Sequence, residues 1–317
     1  MTIARSLSEY FVPASPGCAD RSLRRSLLSN FVEVAVVAPP RARSARSGSG
    51  LARILGQAPG RTLRFVGTLA VALAASCGGA GRFVPIGTIA VSVPIRAAHQ
   101  LKVQTEVGSV RLTPSSGDRL SVHADISVNE SLAAQFPSAD LDRDLTAVVE
   151  GDVVTIRSNH LGEREGWRID LVIEAPPALT PEIVVAVGEV KIVGGGGDVA
   201  AHVQVGEIEL TGKAGKATLT TTTGAIHVDV AELRGGEFIT ATGAIEIAVP
   251  KTTAAEVLLT TAVGAISVTG APSVKSSGSV NGGHAVGPIG PTAAGGTHGD
   301  AITASATVGA IRFTVRD

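Results

Sequence analysis

The sequence predicts an all-β protein: a parallel β-helix, or β-solenoid, with glycine-cornered rungs of about 20 residues, preceded by a capping region that contains a β-hairpin. Three observations carry this. A six-residue unit recurs (an apolar residue or Thr, then Gly, any residue, an aliphatic, any residue, an aliphatic). Its spacing stays near 20. The inward/outward alternation changes parity at each glycine.

The unit begins as Ile86-Gly-Thr-Ile-Ala-Val91 and Val107-Gly-Ser-Val-Arg-Leu112. It returns around Gly188, Gly206, Gly224, Gly243, Gly264 and Gly309, with a degenerate copy, Val286-Gly-Pro-Ile-Gly290, in the one long gap. From Gly188 onward the spacings are 18, 18, 19, 21, 23 and 22 residues. Two and four places after the glycine sit aliphatics such as Ile226 and Val228, which are read as inward. Between them sit Ala225 and His227, read as outward. Before the glycine, residues one, three and five places back are read as inward, as in Val205, Val203 and Ala201, or Val263, Thr261 and Leu259. A parity break at a glycine is what a corner with positive φ requires. Each coil is then a strand, a corner, a second strand and a return loop.

Residues 83–182 read as an N-terminal β region and 183–317 as the repeats. Arg119–Val128 alternates as a strand. Thr146–Ile156 reads as a hairpin turning at Gly151-Asp152. Trp167, Ile169, Leu171 and Ile173 form a further apolar face that ends at Pro176-Pro177, and the lone Trp is assigned to the core. Residues 131–144 read as a loop or a short helix.

The segment ahead of this body has a different composition. Residues 1–64 hold ten Arg, no Lys and three acidic groups, for a net charge of +7. Residues 77–317 carry a net charge of −8. Residues 1–64 are expected to be a disordered basic leader, either a long natural one or the product of a start placed too far upstream. Residues 65–76 form a 12-residue apolar stretch behind Arg61 and Arg64, a signal core too short to span a bilayer. Ala74, Ala75 and Ser76 before Cys77 resemble a bacterial lipobox, with Ala74 where that signal usually has Leu, Val or Ile. The resemblance implies diacylation of Cys77, cleavage before it, and a tether over 77–82. An ordinary secretory signal is the other reading.

A strand hairpin, a strand ending in Ala175-Pro-Pro177 and successive Gly-x-Ile-x-Val units together resemble the adhesin-named family of unknown function, DUF4097 type, over about residues 85–317. The resemblance implies a β-helix-like fold in the bacterial envelope, often behind a lipid anchor, and no catalytic residues.

The chemistry-bearing residues are sparse. Seven His include no H-x-x-x-H or H-E-x-x-H pair, and the two Cys belong to no metal spacing, so no metal or other cofactor is expected. Gly194-Gly-Gly-Gly-Asp198 is similar to a calcium nonapeptide, but the Asp falls one residue early in a single copy. Gly282-Gly-His284 and Gly295-Gly-Thr-His298 read as flexible loop rather than copper or nickel sites. The acidic body lacks the clustered cations that phosphates require, so nucleic acid is excluded as a partner.

Two function classes stay open. One is a non-enzymatic envelope module for structure, adhesion or binding, with the membrane, an envelope polysaccharide or another envelope protein as partner. The other is a polysaccharide-active β-helix enzyme, a lyase or hydrolase. The second needs acidic or basic residues clustered on neighbouring rungs. Here the equivalent outward position changes through Lys191, Glu209, His227, Glu246, Ser267 and Arg312. The nearest carboxylate cluster is Glu189, Glu207 and Glu209. Aromatic sugar platforms are also scarce, since the chain is 3% aromatic. End-to-end self-assembly is a third reading.

The anchor is directly testable. Mass spectrometry of membrane-extracted protein should show Cys77 diacylated at the mature N-terminus, held by two acyl chains at about 0.8 kcal/mol per buried CH₂. Cys77→Ser should release the protein. A soluble wild type with unmodified Cys77, or a variant that stays membrane-bound, would remove the lipoprotein reading.

Overall fold

The computed structural model describes residues 82–95, 98–135, 145–158, 166–279, 282–290 and 301–317. The leader, the apolar stretch 65–76 and Cys77 lie outside the described residues, as do His160 and His298. No helix among the described residues is long and apolar enough to cross a membrane.

The described chain is all-β, with its strands in one large, open sheet. In chain order these are β1 (Phe83–Pro94), β2 (Gln100–Pro114), β3 (Arg119–Asn129), β4 (Leu145–Glu150), β5 (Val153–Ser158), β6 (Trp167–Ala175), β7 (Thr180–Gly195), β8 (Val199–Thr223), β9 (Ile226–Thr242), β10 (Ile245–Pro250), β11 (Ala255–Val263), β12 (Ile266–Thr269), β13 (Lys275–Ser279), β14 (Gly282–Ile289), β15 (Ala301–Val308) and β16 (Ile311–Arg316). A single 3₁₀ turn, Ala133–Gln135, follows β3.

The N-terminal strands pair mostly antiparallel. β1 pairs β3 with a bulge between Pro85 and Gly87, β3 pairs β6, and β4 pairs β5 around Gly151-Asp152. The unit Ile86–Val91 is therefore part of an antiparallel edge strand. Across the sheet from β2 through β7, β8, β9 and β15 to β11 the pairing is parallel, with Gly108 opposite Gly188 and Gly188 opposite Gly206. Each such strand bends at its glycine, so residues before and after it line two sides of one core. Trp167 belongs to that core.

The inward register after the corner runs through Val190 and Ile192, Ile208 and Leu210, Ile226 and Val228, Ile245 and Ile247, and Ile311 and Phe313, all buried. Three and five places before it, Val185 and Ile183, Val203 and Ala201, and Thr221 and Leu219 are also buried. The residue immediately before the glycine is not. Val187 is 46% exposed, Val205 44%, Val263 51% and Val308 36%. The expectation that Val205 and Val263 point inward is thus corrected. The corner is convex, and the glycine turn carries the preceding side chain to the outside of it, where no interior volume exists.

Two further corrections concern order. The degenerate unit Val286–Gly290 is not a rung, because β14 runs antiparallel to β11 and pairs with β13 as a hairpin. The last repeat does not sit at the end of the stack either. β15 lies between β9 and β11, and β16 lies between β10 and β12. The physical reason is occupancy. β14 takes the outer edge of β11, so the final repeat enters on the other side. Residues 251–254 bridge Pro250 to Ala255, and five Cα steps reach up to about 17 Å, enough to skip one strand at about 4.8 Å. The inserted repeat buries Ile302, Ala304, Ala306, Ile311 and Phe313 between neighbours on both sides.

This order has a covalent test. Ser305 is the Cα partner of both Ile239 and Thr260. Ile239→Cys with Ser305→Cys should oxidise to a disulfide, since adjacent strands lie about 4.8 Å apart, inside the Cα window of about 4.4–6.8 Å. Ile239→Cys with Thr260→Cys should not, because a strand separates them. The reverse result on non-reducing peptide mapping would restore sequential stacking.

Candidate functional site: a glycine spine and a charge ladder

The corner glycines Gly188, Gly206, Gly224, Gly243, Gly264 and Gly309 have φ between 143° and 153°. L side chains rarely adopt this region. A second restriction adds to it. A Cβ on Gly224 would overlap the carbonyl oxygen of Gly206. The same relation links Gly206 to Gly188, Gly188 to Gly108, Gly243 to Gly224, Gly309 to Gly243 and Gly264 to Gly309. The glycines form a continuous spine in which each carbonyl fills its neighbour's side-chain space. Buried threonines bind to this spine. Thr221 Oγ1 donates to Gly206 O at 3.4 Å, Thr240 Oγ1 to Gly224 O at 3.3 Å, and Thr261 Oγ1 to Gly309 O at 3.0 Å.

Beside the spine, the outward residues of the second half-strands stand in register. Arg111 faces Lys191, Lys191 faces Glu209, Glu209 faces His227, His227 faces Glu246 and Glu246 faces Arg312. From Lys191 to Arg312 the change in residue that the sequence shows sets opposite charges beside each other, whereas Arg111 and Lys191 are alike. Lys191 Nζ lies 2.8 Å from Glu189 and 3.3 Å from Glu209. His227 Nε2 lies 3.3 Å from Glu207, and its Nδ1 lies 3.3 Å from Glu246. Arg312 donates to Glu246 Oε1 at 2.7 Å. Both imidazole contacts are N–H donations only when the ring is protonated, because a neutral ring has one donor.

Glu189 and then Glu209, through hydrogen bonds and their charge, raise the Lys191 pKa above its ordinary 10.5. A raised pKa in the folded state favours the protonated form. The Lys191 contribution is complete below the ordinary value and fades as pH rises through the raised one. Every member of the ladder is more than a third exposed, so each pair is weak in isolation.

Asp198, the candidate calcium residue, instead accepts the Lys216 backbone N–H at 2.8 Å and closes a return between rungs. No group of three or more His, Cys, Asp or Glu among the described residues is placed to hold a metal ion. His284 lies exposed on β14. Asp170, absent from the sequence reading, accepts from Ser109 N at 2.8 Å and Ser109 Oγ at 2.7 Å, and pairs with Arg168 at 2.8 Å. No sequence signal marked it, because its partner lies 61 residues away.

No protein-family profile and no curated protein matches the chain in sequence. Among solved structures it is similar to a "putative cell adhesion protein" from Clostridium sporogenes, at 14% identity, over 74% of this chain and 100% of that one, with a TM-score of 0.38. It is also similar to a "putative adhesin" from Bacteroides fragilis, at 13% identity, over 72% and 97%, with a TM-score of 0.34. A "putative lipid binding protein" from Parabacteroides distasonis matches at 11% identity, over 72% and 97%, with a TM-score of 0.23. With these TM-scores below 0.5, the likeness carries no weight for function.

The spine predicts unequal costs among glycines. Gly224→Ala should cost more than the roughly 1–3 kcal/mol of backbone strain alone, because the strands must also separate. Gly151→Ala, with φ of 59° and open space around it, should cost only about 1–2 kcal/mol. Ile226→Ala should cost roughly 2–5 kcal/mol and His227→Ala under about 0.5 kcal/mol in urea melts. Equal losses within either pair would refute the assignment.

Proposed function

We propose that the chain is a non-catalytic cell-envelope protein, lipid-anchored through Cys77, whose coils wind as a β-solenoid and present rigid faces for structural or adhesive binding. The in-register glycine spine supports the solenoid winding. The observation that carries the function is the self-pairing of the ladder. Glu207, Glu246 and Glu209 are each committed to a neighbouring rung's His227, Arg312 or Lys191 on an open face. General acid–base groups work best with their proton affinity tuned in a water-excluded site. Ladder charges tied to each other instead fix a pattern of charge on an exposed strand face, which suits recognition of an extended partner, an envelope polysaccharide or another envelope protein.

One observation favours a second reading. His227 between two carboxylates contains the groups that a polysaccharide-active β-helix enzyme would use as acid and base. The two readings separate in one experiment. The full chain is incubated with a glycan panel and followed by pull-down and by reducing-end and unsaturated-product assays. Binding without turnover is expected. Turnover near 1 s⁻¹, the low end of ordinary enzyme rates, that is lost in His227→Ala would replace the binding reading with the enzymatic one.

A further inference from the structure

Among the described residues, β1, the strand at the N-terminal end of the sheet, is hydrogen-bonded on one edge only, to β3, and it also approaches β4. Its free edge can be read residue by residue. Ile95 N–H donates to Asp118 O at 3.2 Å, next to the register pairs Val93↔Leu120, Val91↔Val122 and Ile89↔Ala124. In an antiparallel ladder the hydrogen-bonded pairs alternate. The backbone groups of Ile89, Val91 and Val93 therefore point to β3, and those of Thr88, Ala90 and Ser92 point to the open edge.

Open edges are ordinarily blunted by charge, brevity or proline. At the far end of the sheet, β13 is five residues, begins with Lys275 and is otherwise Ser and Gly. By contrast, β1 is twelve residues, has no charged residue, and its only prolines are Pro85 and Pro94, outside the 88–92 edge. The outward side chains Thr88, Ala90 and Ser92 are exposed and short, so they leave room for an approaching strand. On the inner side, Val84, Ile86 and Val91 pack on the core yet stay only partly buried. Blunting is confined to the ends of this edge and to one side chain: a bulge between Pro85 and Gly87, Pro94, and Arg119, which donates from Nε to Ser92 Oγ at 2.9 Å and from a terminal nitrogen to Ser92 O at 3.1 Å.

We propose that β1 is a self-association edge, pairing antiparallel with β1 of a second copy about a twofold axis at Ala90. The occupant follows from self-complementarity. Centring on Ala90 sets Thr88 against Ser92 of the second copy, Ala90 against Ala90, and Ser92 against Thr88. All six N–H and C=O pairs on the two edges are then matched. No like charges meet, and Ile89 lies across from Val91 on the inner side, where cross-strand apolar pairs stabilise a sheet. An isologous pairing of this kind closes as a dimer and does not propagate. Ser92 O exchanges the Arg119 guanidinium for a Thr88 N–H, so Arg119 acts as a gate on the edge.

The test is sedimentation of the full chain carrying Cys18→Ser and Cys77→Ser, which removes disulfide and lipid association. Loading runs from about 1 to about 200 µM, the range in which a small transient interface dissociates. A monomer–dimer equilibrium is expected. Arg119→Ala should shift the dimer midpoint to at least about tenfold lower concentration, because a carbonyl-capping competitor is lost. Ala90→Pro should abolish the dimer while leaving the circular dichroism melt unchanged, since its N–H faces the open edge. If Ala90→Pro does not fold, Thr88→Lys with Ser92→Lys gives the same reading by setting like charges opposite each other. A monomer throughout in both wild type and Arg119→Ala, a dimer indifferent to the edge substitutions, or open-ended head-to-tail multimers would overturn the proposal.

Discussion

The corner glycines share one constraint: the carbonyl oxygen of each occupies the space in which the next would carry a Cβ. This fixes more than residue identity. It brings neighbouring backbones to ladder distance at the corner and holds the glycines in one column. Once Gly188, Gly206 and Gly224 are aligned, every residue before and after them is aligned too. A one-residue slip in any strand would turn its aliphatics outward and also place a side chain against a carbonyl. The register is thus specified twice, by burial and by the spine. Thr221, Thr240 and Thr261 add a third control. Their buried hydroxyls donate to spine carbonyls, and a slip would turn each of them outward and forfeit that bond, a loss of about 0.5–1.5 kcal/mol apiece.

The faces follow from that register. Alternation places Thr218, Thr220 and Thr222 of one repeat, and charged residues such as Lys102, Glu182 and Glu237 of others, on the outside of the first half-strands, and the ionised ladder on the outside of the second. Stacking in register turns a residue that varies along the chain into a neighbour across it. Lys191, Glu209, His227, Glu246 and Arg312 are 18 to 66 residues apart in sequence, yet each meets the next across a single strand spacing. Cross-strand pairs of this type contribute roughly 0.2–1 kcal/mol each. The same register also sets Arg111 against Lys191 and Glu189 against Glu207, so charge alone does not select the stacking order.

Local chemistry made much of this legible in the sequence. The glycine corners, the inward aliphatics two and four places on, the hairpin at Gly151-Asp152 and the Trp167 strand all rest on interactions within a few residues. The outward turn of Val187 and Val205 was hidden, because a β-branched apolar residue beside an alternating run reads as core until the shape of the corner is known. The ladder pairing was hidden for a different reason. The positions were aligned on the glycine, but a search for like residues on neighbouring rungs overlooks opposite ones. The order of the last coils was beyond reach. Gly243, Gly264 and Gly309 are each followed by Ala-Ile, so local pattern gives no basis for choosing among their possible neighbours.

That interchangeability makes the non-sequential order informative about folding. The segment β11–β14 follows β10 directly in the chain but does not touch its final parallel neighbours until β15 and β16 are in place. With the last coil absent, β12 has no strand partner and β11 retains only β14. Pairing that depends on residues made 40 or more positions later is non-local, and its loop closure must be met before any contact rewards it. β9 and β11 carry compatible columns and would pair directly during synthesis. The observed arrangement then requires either that this pairing is weak enough to open, or that the β13–β14 hairpin forms first and holds β11 away. The β13–β14 hairpin is local and antiparallel, but its docking on β11 joins Thr261 to Gly283, a loop no shorter than that of a direct Gly243–Gly264 alignment, so loop length does not decide between the routes. With β14 on the far edge of β11, one slot is left for the last repeat, and Phe313, its largest inward residue, fills the layer between Ile247 and Val268.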